Sequence, residues 1–337
     1  MDEEPHVARV DRAGPMMQSS LLTLVAGANR RQAGRRLLVL GGAIVLAFAP
    51  FWASPYQLSI LLLLFMYVAL ASSWNLIGGY TGYFTFGHVA YFGIGAYVGA
   101  LTITRLNLHW FAASGLAALI AAVAAVAIGY PSLRVRGPAF VIITLAFSQA
   151  LRVAAYIFDG WTGGGQGVSL PPVQSLTQVY FAFAVAAAVA VIGTVALERS
   201  AFGTRLKAIR DDEFAAEAIG INTQRDKLQA FVLSAVLPGF CGAVYAWYLS
   251  YVNPDEAFSL RINVSMIVMV LLGGAGTVVG PVIGAVIVFG VSELLWAQFP
   301  SLHQLVFGVT IMLLVLFAPD GLLGVARRRF GTGMTGA

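Results

Sequence analysis

Apolar residues in this chain come in runs of membrane length, interrupted by one long polar stretch. A helix needs about 20 mostly apolar residues to cross a bilayer. The candidate spans are Leu37–Ala53, Gln57–Ile77, Phe86–Thr104, Trp110–Tyr130, Ala139–Phe158, Val179–Leu197, Gln229–Tyr251, Val264–Leu272, Pro281–Ala297 and Leu302–Ala318. The eighth is too short to cross as bounded. It either extends through Ile262 and Thr277 or forms a re-entrant half-helix. The pattern predicts an all-α polytopic membrane protein of about ten transmembrane helices. Residues 1–36 are expected to form a flexible tail, 37–319 the membrane domain and 320–337 a second tail.

Composition excludes the soluble alternative. Hydrophobic residues make up 59% of the 337, charged residues 10%, and the mean hydropathy is +0.82. A soluble domain carries roughly a quarter of its residues charged, whereas Arg105 is the one formal charge between Leu37 and Leu133. The net charge of +5 is spread over loops and forms no nucleic-acid stripe. The single cysteine, Cys241, lies in an apolar run, so disulfides and cysteine-rich metal sites are not expected. The first 36 residues read as a solvated tail and not as a cleavable signal peptide.

The polar interruption is Glu198–Lys227, which holds 12 of the 35 Asp, Glu, Lys and Arg residues, six of each sign. Flanked by two spans, it must lie in water on one side of the bilayer. With the N-terminus inside, that island, the two tails and the turn Pro131–Pro138 collect 17 of the 20 basic residues, leaving Arg105, Arg152 and Arg261 elsewhere. The positive-inside bias thus places both termini and the island in the cytoplasm. Within the island, Phe202, Leu206 and Ile209 share a helical face. Asp211 is a candidate N-cap for a second short helix, Asp212–Ile219, and Gly220 suits the position that ends it. Two short amphipathic helices are more than a connector needs, and they predict a docking surface, spanning 198–228, for a cytoplasmic partner.

Glycine marks a second feature. The stretch Leu76–Leu101 contains Gly78, Gly79, Gly82, Gly87, Gly93, Gly95 and Gly99; the first three suit a helix break and Gly95-x-x-x-Gly99 suits close helix packing. Leu271–Ala285 echoes it, with Gly273, Gly274 and Gly276 matching the Leu-x-Gly-Gly opening. Paired glycine-interrupted segments point to an internal repeat around a transport pathway, although glycine is also simply common in membrane helices. The candidate path residues are Gly78, Gly79, Gly82, Gly87, His88, Arg152, Gly273, Gly274 and Gly276.

Ionisable residues within the spans are few: His88, Arg152, Glu293 and, near an interface, Arg105. Each has a bland and a functional reading. Glu293 is either a buried ion-coupling carboxylate or a headgroup contact, Arg152 either a cavity cation or a snorkelling one, and His88 either a ligand contact or a structural hydrogen-bonding group. No nucleophile–base pair, metal-ligand spacing or phosphate-cradling loop appears, so neither an enzyme nor a cofactor is expected, and transport energy must enter from elsewhere.

Four motifs carry a resemblance to a known family: GGYTGYFTFGHVAYFGIGAY (Gly78–Tyr97), RGPAFVIITLAFSQALR (Arg136–Arg152), TGGGQGV (Thr162–Val168) and the long segment Ala201–Ala246 beginning AFGTRLKAIRDDEFAAEAIGINTQRDK. LLGGAGTVVGPVIGA is a fifth. The chain resembles the transmembrane permeases of branched-chain amino acid ATP-binding-cassette importers, the LivM type. It departs mildly, with Phe86 where leucine is usual and Pro238 interrupting a run of small residues. The resemblance implies a bacterial inner-membrane importer in which this permease pairs with a second related permease, two cytoplasmic ATPases and a periplasmic solute-binding protein. It further implies that Gly203–Gly220 docks on the ATPase, with Gly203, Arg205, Leu206, Ala208, Ile209, Arg210, Asp211, Glu217 and Gly220 as the docking set. Relatives in the superfamily handle urea, short amides or sugars, so another small polar solute is the alternative cargo. An ion-coupled secondary transporter is the alternative of another class.

Overall fold

The computed structural model describes residues 48–298 and 308–309. The chain divides at Tyr56/Gln57 into two units. Of the first, residues 48–54 hold a single 3-10 turn, Ala49–Phe51. The remainder is built from helices α1 (Pro55–Gly78), α2 (His88–Leu106), α3 (Trp110–Ser132), α4 (Pro138–Ile157), α5 (Leu176–Glu198), the two short island helices α6 (Ala201–Asp211) and α7 (Glu213–Ala218), then α8 (Thr223–Leu249), α9 (Leu260–Gly273) and α10 (Gly280–Gln298).

Among the described residues seven helical stretches are long and apolar enough to cross a membrane: α1 to α5, α8, and α9 taken together with the one-turn helix Pro254–Ala257 before it. Seven of the roughly ten expected spans are thus found among the described residues. The spans Leu37–Ala53 and Leu302–Ala318 lie largely outside the described residues, as do the two tails. The α10 helix occupies the expected Pro281–Ala297, but its apolar stretch is shorter than the other seven. The eighth candidate starts earlier, at Leu260, and stops at Gly273 rather than reaching Thr277, because Gly274 (φ +117°) leaves helical geometry.

The all-α expectation needs one small amendment. Strands β1 (Val168–Ser169) and β2 (Tyr251–Val252) pair antiparallel, Val168 opposite Val252. The glycine-rich stretch before β1 also holds a helical turn at Asp159–Thr162, secured by the Thr162 hydroxyl donating to the Ala155 carbonyl at 2.6 Å.

Helix α8 is the centre of the packing, against α2 on one side and α3 on another. Glycine makes the approach to α2 close: a methyl group at Gly95 would overlap the Gly239 backbone, and one at Gly99 would overlap Ala243. The Gly95-x-x-x-Gly99 spacing thus does what it predicts, since without apolar collapse to drive them lipid-embedded helices associate through backbone-close packing. Pro238 lies inside α8, which runs unbroken through it.

Candidate functional site

The island is a folded joint, not a loop. Ser200 caps α6, its hydroxyl accepting from Gly203 N at 3.1 Å. The cap of α7 is Asp212, whose carboxylate accepts from Phe214 N and Ala215 N at 2.9 and 3.1 Å. Asp211, the expected cap, is instead the last residue of α6, because the extended backbone a cap requires falls one residue later. Gly220 follows α7 at φ +88°, the left-handed conformation expected of it.

Five anchors fasten this joint to the helix ends. Arg210 Nη1 donates to the Gly79 carbonyl at 2.6 Å, just past the end of α1, and to Ala275 O at 3.4 Å, just past α9. Those two ends are also stitched to each other: Asn75 Nδ2 donates to Thr277 O at 2.9 Å and Asn75 Oδ1 accepts from Gly276 N at 2.8 Å. Arg205 holds Asp226 with Nε–Oδ2 at 2.6 Å and Nη2–Oδ1 at 3.3 Å. Lys227, only 2% exposed, donates to Glu213 at 2.6 Å, to the Tyr83 hydroxyl at 2.9 Å and to Leu133 O at 3.3 Å. Tyr83 in turn donates to Glu213 Oε2 at 2.6 Å, and Arg136 pairs with Glu213 and Glu217 at 3.2 and 3.3 Å.

The electrostatics follow from that geometry. Burial pushes the Glu213 carboxyl up, but hydrogen bonds from Lys227 and Tyr83 and the charges of Lys227 and Arg136 outweigh it and hold the group below its usual range. Tyr83 moves the other way, raised by burial first and then by its bond to Glu213.

The docking residues expected from the sequence separate into two groups. Gly203, Leu206 and Ile209 are buried, so they seat the island on the helices beneath it. Arg205 and Arg210 are spent on anchors, and Ala208 is half-buried. Asp211, Glu217 and Gly220 are exposed, beside two large apolar side chains, Phe214 at 71% and Ile219 at 77% exposure.

The path glycines also gather here. Gly79 lies against Gly276, so that a methyl group on Gly79 would overlap the Gly276 nitrogen, and Gly82 lies against Arg210. Gly78 covers the Trp74 ring, and Gly273 packs on the Gly280 backbone, one residue before Gly274. Both glycine-ended helices, α1 and α9, therefore bring their C-termini to the same joint.

Sequence reading missed Asn75, Tyr83, Glu213, Asp226 and Lys227. One signal was available: Lys227 is the fifth residue of α8, near the positive end of the helix dipole, where a cation is disfavoured unless a specific anion holds it.

A second polar site lies deeper, at the start of α2. Residues 79–87 are not helical and fold back along α1, so that Trp74 Nε1 donates to Thr85 O at 2.9 Å. The amides leading into α2 are met by side chains: Phe86 N by Thr144 Oγ1 at 3.2 Å, Gly87 N by Thr85 Oγ1 at 3.0 Å and, within the helix, Val89 N by Asn263 Oδ1 at 3.3 Å. Thr85, His88, Thr144 and Asn263 are all fully buried. Both ring nitrogens of His88, the Tyr91 hydroxyl and Asn263 Nδ2 have no hydrogen-bond partner among the described residues. Among the described residues His88 therefore makes no side-chain hydrogen bond. Its ring stands edge-on to Tyr91 and Phe231, with centroids 6.0 and 6.4 Å away. From Phe231 a chain of ring contacts continues to Phe140 at 6.0 Å and on to Tyr83 at 5.4 Å. Beyond Phe140 a cleft of about 580 Å³ opens between residues 82–84, 136–142 and Glu213.

The remaining ionisable candidates are surface-coupled. Arg152 pairs with Asp255 at 3.2 Å, and Tyr156 donates to the same carboxylate at 2.6 Å. Arg105 donates to Gly160 O and Trp161 O and lies over the Trp161 ring. Glu293 is half-buried in the last third of α10. No cluster of metal-ligating side chains occurs among the described residues.

Residues 56–316 match the family described as "Branched-chain amino acid transport system / permease component". The chain is 29% identical over 325 residues to the high-affinity branched-chain amino acid transport system permease protein LivM of Escherichia coli K12, covering 87% of this chain and 76% of the relative. It is 24% identical over 287 residues to the LivH permease protein of the same organism, covering 77% and 91%. A more distant likeness, 26% over 52% of this chain and 55% of the relative, is to the L-arabinose permease protein AraH of Azospirillum brasilense. No solved structure matches the chain.

Proposed function

This chain belongs to the family of permease components of branched-chain amino acid transport systems, and from that premise we propose that it forms, with a second related permease, the translocation path of an ATP-driven importer for branched-chain or related amino acids. Its family's activity is translocation, so ATP hydrolysis belongs to partner subunits. In this reading the protein sits in a bacterial inner membrane with both termini and the island cytoplasmic. Two ATPases dock on the island, and a periplasmic binding protein delivers the solute on the opposite face.

The observation that carries the proposal is the two-sidedness of the island. One side is buried and tied to α1, α8, α9 and the α3–α4 turn, while the other presents Phe214 and Ile219 among Asp211, Asp212 and Glu217. Large exposed apolar side chains ringed by charge on a water-facing segment suit a protein partner. A push on that face reaches the ends of several helices at once through paired charges. The domain plan follows, with 198–228 as the docking element of the membrane domain.

The test is the double substitution Phe214→Glu and Ile219→Glu in the assembled importer. Copurification of the ATPases and leucine uptake are expected to fall at least tenfold, while the permease itself accumulates normally. Unchanged ATPase association would refute the docking role. The likeness to an arabinose permease supports a second reading, in which the same machinery carries another small polar solute. Uptake assays with leucine, valine and arabinose side by side separate the two.

A further inference from the structure

We infer that the buried start of α2, with Asn263 and His88, is a neutral binding station for the carboxylate of the solute in transit. The inference rests on the amino acid import reading and gives that reading a place in the membrane.

Three observations converge. The α2 helix has 19 residues, and its N-terminal end, with the partial positive charge every helix start carries, is buried rather than presented to water. Asn263 is fixed at that end because its Oδ1 accepts from Val89 N, which leaves both hydrogens of Nδ2 beside the helix start with nothing among the described residues to receive them. The His88 imidazole, on the first residue of α2, and the hydroxyl of Tyr91, whose ring centroid lies 6.0 Å from that of His88, are likewise without an acceptor among the described residues. Buried polar groups in native proteins are almost always paired, so a cluster of unspent donors at a helix N-terminus calls for an acceptor, and an anionic one gains most. A carboxylate fits that description.

The surrounding chemistry also suits an amino acid with an apolar side chain. Phe231 and Phe140 are fully buried beside the station and offer an apolar wall. No Lys or Arg side chain bonds to the station among the described residues; Lys227 and Arg136 are spent on Glu213 beyond Phe140. A fixed cation would hold a carboxylate tightly in a low-dielectric setting. Neutral donors and a helix dipole hold it weakly enough for release, which transit requires. The ring contacts from His88 through Phe231 and Phe140 to Tyr83 close the station from the cleft at the island. Because Tyr83 is bonded to Glu213 of α7, movement of the island reaches the ring that closes the way.

The experiment uses the complete importer, with its partner permease, ATPases and binding protein, reconstituted in liposomes and supplied with radiolabelled L-leucine. Asn263→Asp keeps the acceptor oxygen for Val89 N but replaces the donor hydrogens with a repelling charge. Leucine uptake is expected to fall at least about tenfold, the scale of a lost hydrogen bond to a charged group, while ATP hydrolysis stimulated by the binding protein stays within about twofold. Should Asn263→Asp fail to assemble, the pair His88→Leu and His88→Gln decides: uptake is expected to fall in the first and return in the second, which restores a donor. Undiminished uptake in Asn263→Asp, or equal uptake in both His88 variants, overturns the station and leaves the import reading standing. If the wild-type importer moves no amino acid at all, the import reading itself fails, and the carboxylate station falls with it.

Discussion

The island and the start of α2 treat polar groups in opposite ways. At the island charges of both signs are brought together until nearly every one is answered: Glu213 alone receives Lys227, Arg136 and Tyr83. At the start of α2 there is no fixed charge among the named groups, and the His88 ring nitrogens, the Tyr91 hydroxyl and Asn263 Nδ2 go unanswered among the described residues. A saturated network is rigid and transmits a push, because giving up one partner leaves another charge buried and bare. An unsaturated neutral cluster keeps its bonding capacity for something that comes and goes. In the proposed reading the contrast separates a mechanical joint from a binding place within a single small membrane chain.

The strongest way to break the contrast is at the joint. Lys227→Met should destabilise the protein by about 3–5 kcal/mol, because Glu213 is left partly buried without its closest cation. Adding Glu213→Gln to Lys227→Met should recover part of that loss, and a double-mutant cycle in detergent unfolding measures the coupling. Additive losses would show that the pair does not act as a unit. A somewhat smaller effect is expected from Gly79→Ala, about 1–3 kcal/mol, since its methyl group would press on the Asn75 amide and the Gly276 nitrogen. Loosened α1 and α9 ends should show as faster hydrogen exchange across residues 274–279.

The mildest test is pH. The Glu213 carboxyl is held below its ordinary value of 4.5, so it binds protons less readily folded than unfolded. Its stabilisation is complete above that ordinary value and is lost as pH falls through the lower folded one. The unfolding temperature of the purified permease should therefore drop on acidification below about pH 4.5, and Glu213→Gln should flatten that slope. An unchanged slope would mean that other carboxylates govern acid stability.

Much of the fold was legible in apolar run length, and the reason is specific to lipid. A backbone in hydrocarbon must satisfy its own hydrogen bonds, so an apolar run long enough to cross has one solution, the helix. The island's two helices were likewise legible in the spacing of Phe202, Leu206 and Ile209. What that periodicity could not tell was which way the face points. The apolar side of α6 is turned into the protein, and the large exposed apolar side chains are Phe214 on α7 and Ile219 just after it. The glycine echo marked the right residues for a reason it did not contain: Gly79 and Gly276 are small because two helix ends and Arg210 crowd together there.

By itself the sequence determined that this chain is a helical membrane protein with one large water-facing island and too few intramembrane charges to run on an ion gradient in any obvious way. Those are properties of composition and run length, which act locally and add along the chain. Only the tertiary structure decided that Lys227 and Glu213, 14 positions apart, close on Tyr83, 130 positions from Glu213. It also decided that Asn263 meets the start of α2 through Val89 N, 174 positions earlier, and that the His88 ring has no hydrogen-bond partner among the described residues. Pairing across such distances depends on which helix ends meet, and no local pattern carries that information.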